Sequence, residues 1–369
     1  MNGPRSTALV RLLPPGALAL LVGVTLAGAR RGPAGHASPA AEIEHWSAIV
    51  AADTASDEGH ASTRKVSGPP LALARQALAR GRTLLAIFRL GTVRPYLVAQ
   101  KYVDSLPDSM ATPEALEGEW RRMGDVLHED LRAPSPRSFA DVHPAALRAM
   151  AEAAAMQVHV YYDGSLEFGR ATDPGSGLYY IGQAIAQREW AALCRGWSSP
   201  AGGAEPAFRT LGGELDSLEG EILAAYRPPA SIDRHSEFIT VGAALKEARE
   251  PDQAGLARGA LLRYLQAAFR LDPLRSAPPK FDPLATPGRL RALETRFAGR
   301  AADHSIARFF LELARTDLDD TTASATHAIA AAVVDDVVPR YLAAIGPARP
   351  RAVLPAAEVT VTLVRWPYT

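Results

Sequence analysis

Prolines that open one helical segment after another are the feature that most constrains this chain. Between residues 70 and 350, apolar residues recur at helical spacing in long runs, and a capping residue followed by proline begins many of them. Thr112-Pro113-Glu114 is the clearest case, with an N-cap, a proline at the first helical position and an acid in the first turn. The pattern predicts an all-α protein of nine or ten helices, forming an irregular bundle or a helix-hairpin solenoid.

Four predicted segments within this region are compared with the structure below. Residues 71–103 form the first long helical stretch, which Gly91 and Pro95 should kink or split. The glycine-containing segment 163–170 is predicted to be a loop between two helices. Single helices are predicted to start at Glu205-Pro206 and to cover residues 286–316.

The first 29 residues have the pattern of an export signal. Arg5 and Arg11 precede an apolar stretch, 17–29, that is too short to span a bilayer, and Ala27-Gly28-Ala29 matches a signal-peptidase site. We therefore expect a cleaved signal and a periplasmic or secreted protein. The alternative is an uncleaved N-terminal membrane anchor.

The remaining chain divides by composition. Residues 30–69 are rich in Ala, Ser, Gly and Pro and predict a flexible linker with one short helix at 41–52. Residues 70–350 predict a single helical domain, which is long enough to bury a substantial core. Residues 351–369 form a tail in which 359–364 alternate like a short C-terminal β-strand.

Charge and cysteine content exclude several classes of function. Forty basic residues balance forty acidic ones, so a strongly basic nucleic-acid binder is excluded. The single cysteine, Cys194, excludes an intramolecular disulfide and multi-cysteine metal sites, and it is expected to be a buried apolar residue. No sequence motif indicates a metal site or a cofactor.

Charges are nevertheless segregated along the chain. Residues 59–103 contain eight Lys and Arg and no acid, whereas 104–130 contain eight acids. One interpretation is that the two segments are antiparallel neighbours with complementary charges. The other is that the basic helix 71–103 lies on an anionic membrane surface as a peripheral contact.

Aromatic and amide side chains cluster around the predicted loop. A helix face carrying Tyr, Gln and Trp follows a helix that ends in Tyr, and together these groups suit a small polar ligand. The alternative is an ordinary contact between helices. The predicted ligand-binding residues are Tyr161, Tyr162, Tyr179, Tyr180, Gln183 and Gln187.

An acidic cluster gives a different prediction. Asp317-Leu318-Asp319-Asp320-Thr321 resembles the Asp-x-Asp-Asp-Thr motif of class II terpene cyclases, which have an α-helical barrel fold. The resemblance implies that Asp319 is a proton donor supported by Asp317 and Asp320. Alternatively, these residues cap a helix and complement its dipole.

These observations lead to three functional hypotheses. The first is a non-catalytic module that binds a small polar ligand or a protein partner, or serves as a scaffold. The second is an acid-dependent enzyme that uses the cluster at 317–320, and the third is a membrane-surface protein. They predict different observations: an exposed apolar or aromatic patch for the scaffold, acids facing a concave pocket for the enzyme, and salt-sensitive binding to liposomes for the membrane-surface protein.

Overall fold

A computed structural model describes residues 38–198, 204–299, 302–320 and 327–349. Within them the protein is all-α, with twelve helices, 77% helical content and a two-stranded antiparallel sheet. The elements are α1 (Pro39–Ala52), α2 (Glu58–Ala79), α3 (Thr83–Asp104), α4 (Pro113–Leu127), α5 (Ala145–Ala171), α6 (Pro174–Gly196), β1 (Glu205–Phe208), α7 (Gly212–Ala225), α8 (His235–Gln253), α9 (Ala257–Leu271), α10 (Thr286–Phe297), α11 (Ser305–Asp319), α12 (Ala328–Ala332, a π-helical turn Val333–Val337, and Val338–Ala344) and β2 (Ile345–Arg349).

The first long helical stretch breaks at a different glycine from the one predicted. α2 already begins at Glu58, capped by Asp57, so residues 58–69 are helical where a linker was expected. Gly81 then adopts a left-handed conformation, φ +72°, and separates α2 from α3. α3 runs through Gly91 and Pro95 without ending.

The predicted loop at 163–170 is wrong, because these residues are the last two turns of α5. Glycine serves here for close packing rather than for a turn. A Cβ atom at Gly169 would lie 2.5 Å from Leu116 Cδ2 and 3.1 Å from the Cα of Gly177 on α6. The glycines therefore allow α4, α5 and α6 to approach each other closely.

The helix predicted to start at Glu205 is also wrong. Glu205–Phe208 is β1, which pairs antiparallel with β2, and α7 begins only at Gly212. The helix predicted over 286–316 is two helices, α10 and α11. The export signal and the predicted strand at 359–364 lie outside the described residues.

The α5–α6 hairpin lies at the centre of the helical packing. α3 packs on α6, while α9 packs on α5 and pairs with α8. α5 is alanine-rich and almost fully buried from Ala145 to Ala154, so neighbouring helices come close to its backbone. One core cluster joins these helices, and a smaller one lies where α4 meets α5 and α6.

Three helices receive their N-terminal caps from other helices. The amides at the start of α9 donate to the fully buried Glu152 on α5, from Arg258 N at 3.1 Å and Gly259 N at 2.8 Å. Leu85 N of α3 donates to Glu312 Oε2 on α11 at 2.8 Å. Ala146 N of α5 donates to Ser305 Oγ, also 2.8 Å away. These bonds satisfy orphan amides and fix α3, α5 and α9 relative to each other.

In the part of the chain that the structure describes, no helix has both the length and the apolar character needed to cross a bilayer.

Candidate functional site

An open cavity of about 390 Å³ lies between five helices, α3, α5, α6, α8 and α9. We call it the polar cavity. Its volume falls within the range of small-molecule sites, roughly 300–1,000 Å³. Each helix contributes side chains about one or two turns apart: Phe88 and Tyr96 from α3, Gln157 and Tyr161 from α5, Gln187 and Trp190 from α6, Thr240 and Glu247 from α8, and Arg263, Gln266 and Arg270 from α9.

Hydrogen-bond donors in the wall of the polar cavity lack acceptors. Gln266 is only 6% exposed, and its Nε2 atom is buried without a hydrogen-bond partner; Arg263 Nε is buried and unpartnered as well. Gln157 and Gln187 are buried, and neither carboxamide bonds to another described residue. Because an unmet buried donor costs about 1–3 kcal/mol, the two orphan donors, Gln266 Nε2 and Arg263 Nε, favour a bound acceptor.

The polar cavity has an excess of positive charge. Glu247 Oε2 lies 3.3 Å from Arg263 Nη1, which also donates to Gln266 Oε1 at 3.2 Å. Arg270 forms no ion pair or hydrogen bond with any described residue. The Arg270 side chain is exposed. Desolvation of its guanidinium and the nearby charge of Arg263 lower the pKa of Arg270, while the charge of Glu247 acts in the opposite direction.

Aromatic rings form the apolar part of the wall. The indole of Trp190 is 4% exposed and lies directly against Gly91 of α3. Tyr161 packs edge-to-face on Tyr180, with ring centroids 5.6 Å apart. Burial and the charge of Glu247 raise the pKa of Tyr161 to about 12, so its hydroxyl stays protonated at neutral pH. The cavity thus combines donors with planar apolar surfaces.

Two of the six predicted ligand-binding residues, Tyr161 and Gln187, line the polar cavity. Tyr162 lies elsewhere: its ring stacks on Trp120 of α4 at 4.9 Å, and its hydroxyl donates to Trp120 O at 2.8 Å. The other three lie on α6 outside the cavity wall.

Those three residues take part in the packing between helices. Tyr180 stacks on Phe168 with centroids 4.4 Å apart, and the hydroxyl of Tyr179 donates to Tyr96 O at 3.4 Å. Gln183 is buried, 6% exposed. The six residues therefore surround the α5–α6 contact instead of converging on one point.

The carboxylates of the acidic cluster have partners that fix helices. Asp319 is ion-paired with Arg82, and Asp317 Oδ2 accepts from Ala330 N at 3.0 Å, close to the start of α12. Asp320 is exposed. An acid that protonates an alkene needs a dry pocket, whereas the Asp319 side chain is 40% exposed. These contacts add nothing to the cyclase-like hypothesis, which stays a prediction.

The basic segment finds its acidic partners on several other elements. Arg75 pairs with Glu44 of α1, and Arg94 bonds to Glu42 of α1 at 3.2 Å and to Glu189 of α6 at 2.8 Å. The complementary charges thus come largely from α1 and α6 rather than from 104–130. The membrane-surface hypothesis stays a prediction.

Cys194 is fully buried and its thiol is free, as predicted. Burial raises the pKa of this thiol, so it is not activated as a nucleophile. Among the described residues, no group of three or more His, Cys, Asp or Glu side chains could hold a metal ion. Comparisons with protein families, curated proteins and solved structures gave no match to this chain.

Sequence reasoning missed the α9 side of the polar cavity. Arg263, Gln266 and Arg270 stand at i, i+3 and i+7, the spacing that puts residues on one helix face. They interrupt an otherwise apolar helix, as Gln183 and Gln187 do on α6. A polar stripe on a helix that should be buried was therefore the available signal.

Proposed function

We propose that this protein is a non-catalytic binding protein whose ligand is a small molecule rich in hydrogen-bond acceptors, held in the polar cavity. The unpartnered Nε2 of buried Gln266 carries the proposal. Burying this donor without an acceptor costs about 1–3 kcal/mol. A ligand oxygen would satisfy it.

Charge and shape agree with an acceptor-rich ligand. Arg270, an exposed residue of the same wall, adds a positive charge that no described acid pairs with, and Gln157 and Gln187 offer free carboxamides. The rings of Trp190 and Tyr161 supply the flat apolar surfaces that commonly line small-molecule sites. A ligand with carboxylate or several carbonyl and hydroxyl oxygens meets these requirements.

The test compares two substitutions that each remove an unpartnered buried polar atom. Gln266→Met alters the polar cavity with little change in volume, whereas Ser67→Ala removes the orphan hydroxyl of Ser67 on α2. Gln266→Met should weaken binding at least tenfold and change the free energy of unfolding by less than about 1 kcal/mol. Ser67→Ala should bind like the wild type.

Binding is measured by native mass spectrometry of the purified full-length chain and by thermal shift with hexanoate, succinate and citrate. We expect a co-purified mass, or stabilisation by at least one carboxylate, that Gln266→Met loses. The proposal fails if no mass and no stabilisation is seen, or if both variants behave alike. The same spectrum gives the mass of the mature chain, and loss of residues 1–29 would support the proposed export.

A further inference from the structure

A second cavity, of about 550 Å³, adjoins the polar cavity. It lies between α8, α9, the segment that follows α9, and the beginning of α12. We call it the apolar groove, because most of its wall is aliphatic, aromatic or proline. The residues that define it are Val241, Phe269, Pro273, Pro278, Ile329 and Ala332.

The two cavities share part of their walls. Thr240 of α8 and Arg270 of α9 line both of them. A molecule held beside Arg270 in the polar cavity can therefore extend into the apolar groove along the α8–α9 hairpin. The groove is larger than the polar cavity and offers a much less polar wall, so an occupant that bridges the two has one polar end and one apolar end.

The charges around the groove place the polar end at Arg270. Of the two acids in the groove wall, Glu237 pairs with Arg234 at 2.6 Å, and Asp272 pairs with Arg275 through Oδ1 while its buried Oδ2 has no hydrogen-bond partner. On the polar side, Glu247 pairs with Arg263. Arg270, which is exposed and lines both cavities, has no ion-pair partner among the described residues. An anionic group there would compensate its charge.

We propose that the ligand is an amphiphile with an anionic head group and an unbranched hydrocarbon tail, the head beside Arg270 and Gln266 and the tail in the apolar groove. This inference rests on the proposed function, since it assumes that the polar cavity binds acceptor oxygens. It adds the chemical class of the ligand and the path that its tail takes.

A series of n-alkanoates tests the inference directly. Hexanoate, octanoate and decanoate, all below their critical micelle concentrations, are titrated into the full-length protein by isothermal calorimetry, with decan-1-ol as the uncharged comparison. Each methylene that enters the groove should tighten binding about fourfold, until the groove is full. Decan-1-ol should bind at least tenfold more weakly than decanoate.

Variants separate the head from the tail. Arg270→Gln should weaken all three alkanoates by a similar factor, tenfold or more, and keep the dependence on chain length. Ala328→Trp fills the groove from an exposed position and should remove the chain-length dependence while hexanoate still binds. Arg80→Gln removes an exposed arginine that has no side-chain partner among the described residues, and it should change nothing.

The outcomes that overturn the inference differ from those that overturn the proposed function. If hexanoate binds and longer chains bind no better, or if Ala328→Trp leaves the chain-length dependence intact, the tail does not lie in the groove. In that case the polar cavity keeps its proposed role. If decan-1-ol matches decanoate and neither Arg270→Gln nor Gln266→Met weakens binding, both proposals fail.

Discussion

Glu312 is a carboxylate whose place in the fold sets its acidity. It lies on α11 and accepts a hydrogen bond from Leu85 N at the start of α3. Burial raises its pKa to about 7, although that bond and the charges of Arg308 and Arg82 act in the opposite direction. An acid with a raised pKa holds its proton in the folded state over a pH range in which the unfolded chain has already released it. Its contribution to stability is therefore full below about pH 4 and is lost as the pH rises through 7.

Glu312→Gln should remove this part of the pH dependence. The amide oxygen still accepts from Leu85 N, and glutamine does not titrate. From pH 5 to pH 8, the wild type should lose on the order of 1–3 kcal/mol of unfolding free energy that the variant keeps, as measured by urea unfolding. Glu167→Gln, an exposed change on α5, should follow the wild type. Parallel curves for wild type and Glu312→Gln would contradict the prediction.

At the scale of elements, α5 and α6 depend on glycine for their contact. The Cβ atom of an alanine at position 169 would overlap Leu116 and press on the backbone of Gly177. At Gly164, on the same helix, a Cβ atom would meet only Tyr180 Cδ1 at 3.9 Å, which is an ordinary contact. The two glycines therefore differ in what they permit, although both belong to the segment that the sequence indicated as a loop.

Alanine at each position should have opposite effects. Gly169→Ala should lower the free energy of unfolding by about 1–3 kcal/mol, because the core would be overpacked. Gly164→Ala should raise it by up to about 1 kcal/mol, because alanine is the better helix former. Chemical denaturation of both variants measures these changes. A stabilised Gly169→Ala variant would show that α5 and α6 are not in close contact there.

The helical class of the chain was predictable, because start signals such as Thr112-Pro113 act locally. The errors arise where contacts between residues far apart in sequence determine the local structure. Gly169 suggests a loop unless its close contacts with α4 and α6 are known, and β1 forms only because β2 pairs with it. The caps that Glu152 and Glu312 supply join helices far apart in sequence, so no local pattern shows them.

Only half of the candidate site was predictable from the sequence. The polar stripe on α6 pointed to Gln187, and the tyrosines at the end of α5 included Tyr161. The facing wall comes from α8 and α9, about 50 to 110 residues further along the chain. Which polar residues converge depends on how these helices pack, and a single sequence does not contain that information.

At the scale of the whole molecule, a partly buried ionic network ties α7, α9 and α12 together. Arg340 of α12 lies within 2.8 Å of both Glu221 on α7 and Asp336, and it donates to Tyr264 of α9 at 3.0 Å. Arg275 pairs with the same two acids and with Asp272. Three acids thus share two guanidinium groups. Burial and the charge of Asp336 raise the pKa of Asp272 to about 7, so the surplus acid is partly protonated at neutral pH.

Arg340→Leu should therefore destabilise the protein in a pH-dependent way. Without the guanidinium, Glu221 and Asp336 remain partly buried and have only Arg275 as a partner, a loss of about 1–3 kcal/mol of unfolding free energy at pH 8, less than for a fully buried pair. The pKa values of these acids rise further in the folded variant, which then binds protons that the unfolded chain releases. The loss should consequently be smaller at pH 5 than at pH 8, as urea unfolding at both pH values can measure.

Arg289→Leu breaks the more exposed pair with Asp335 on α12 and should cost less than about 1 kcal/mol at either pH. An equal loss for Arg340→Leu at both pH values would mean that the arginine contributes only packing, and that the three helices are not held together by charge.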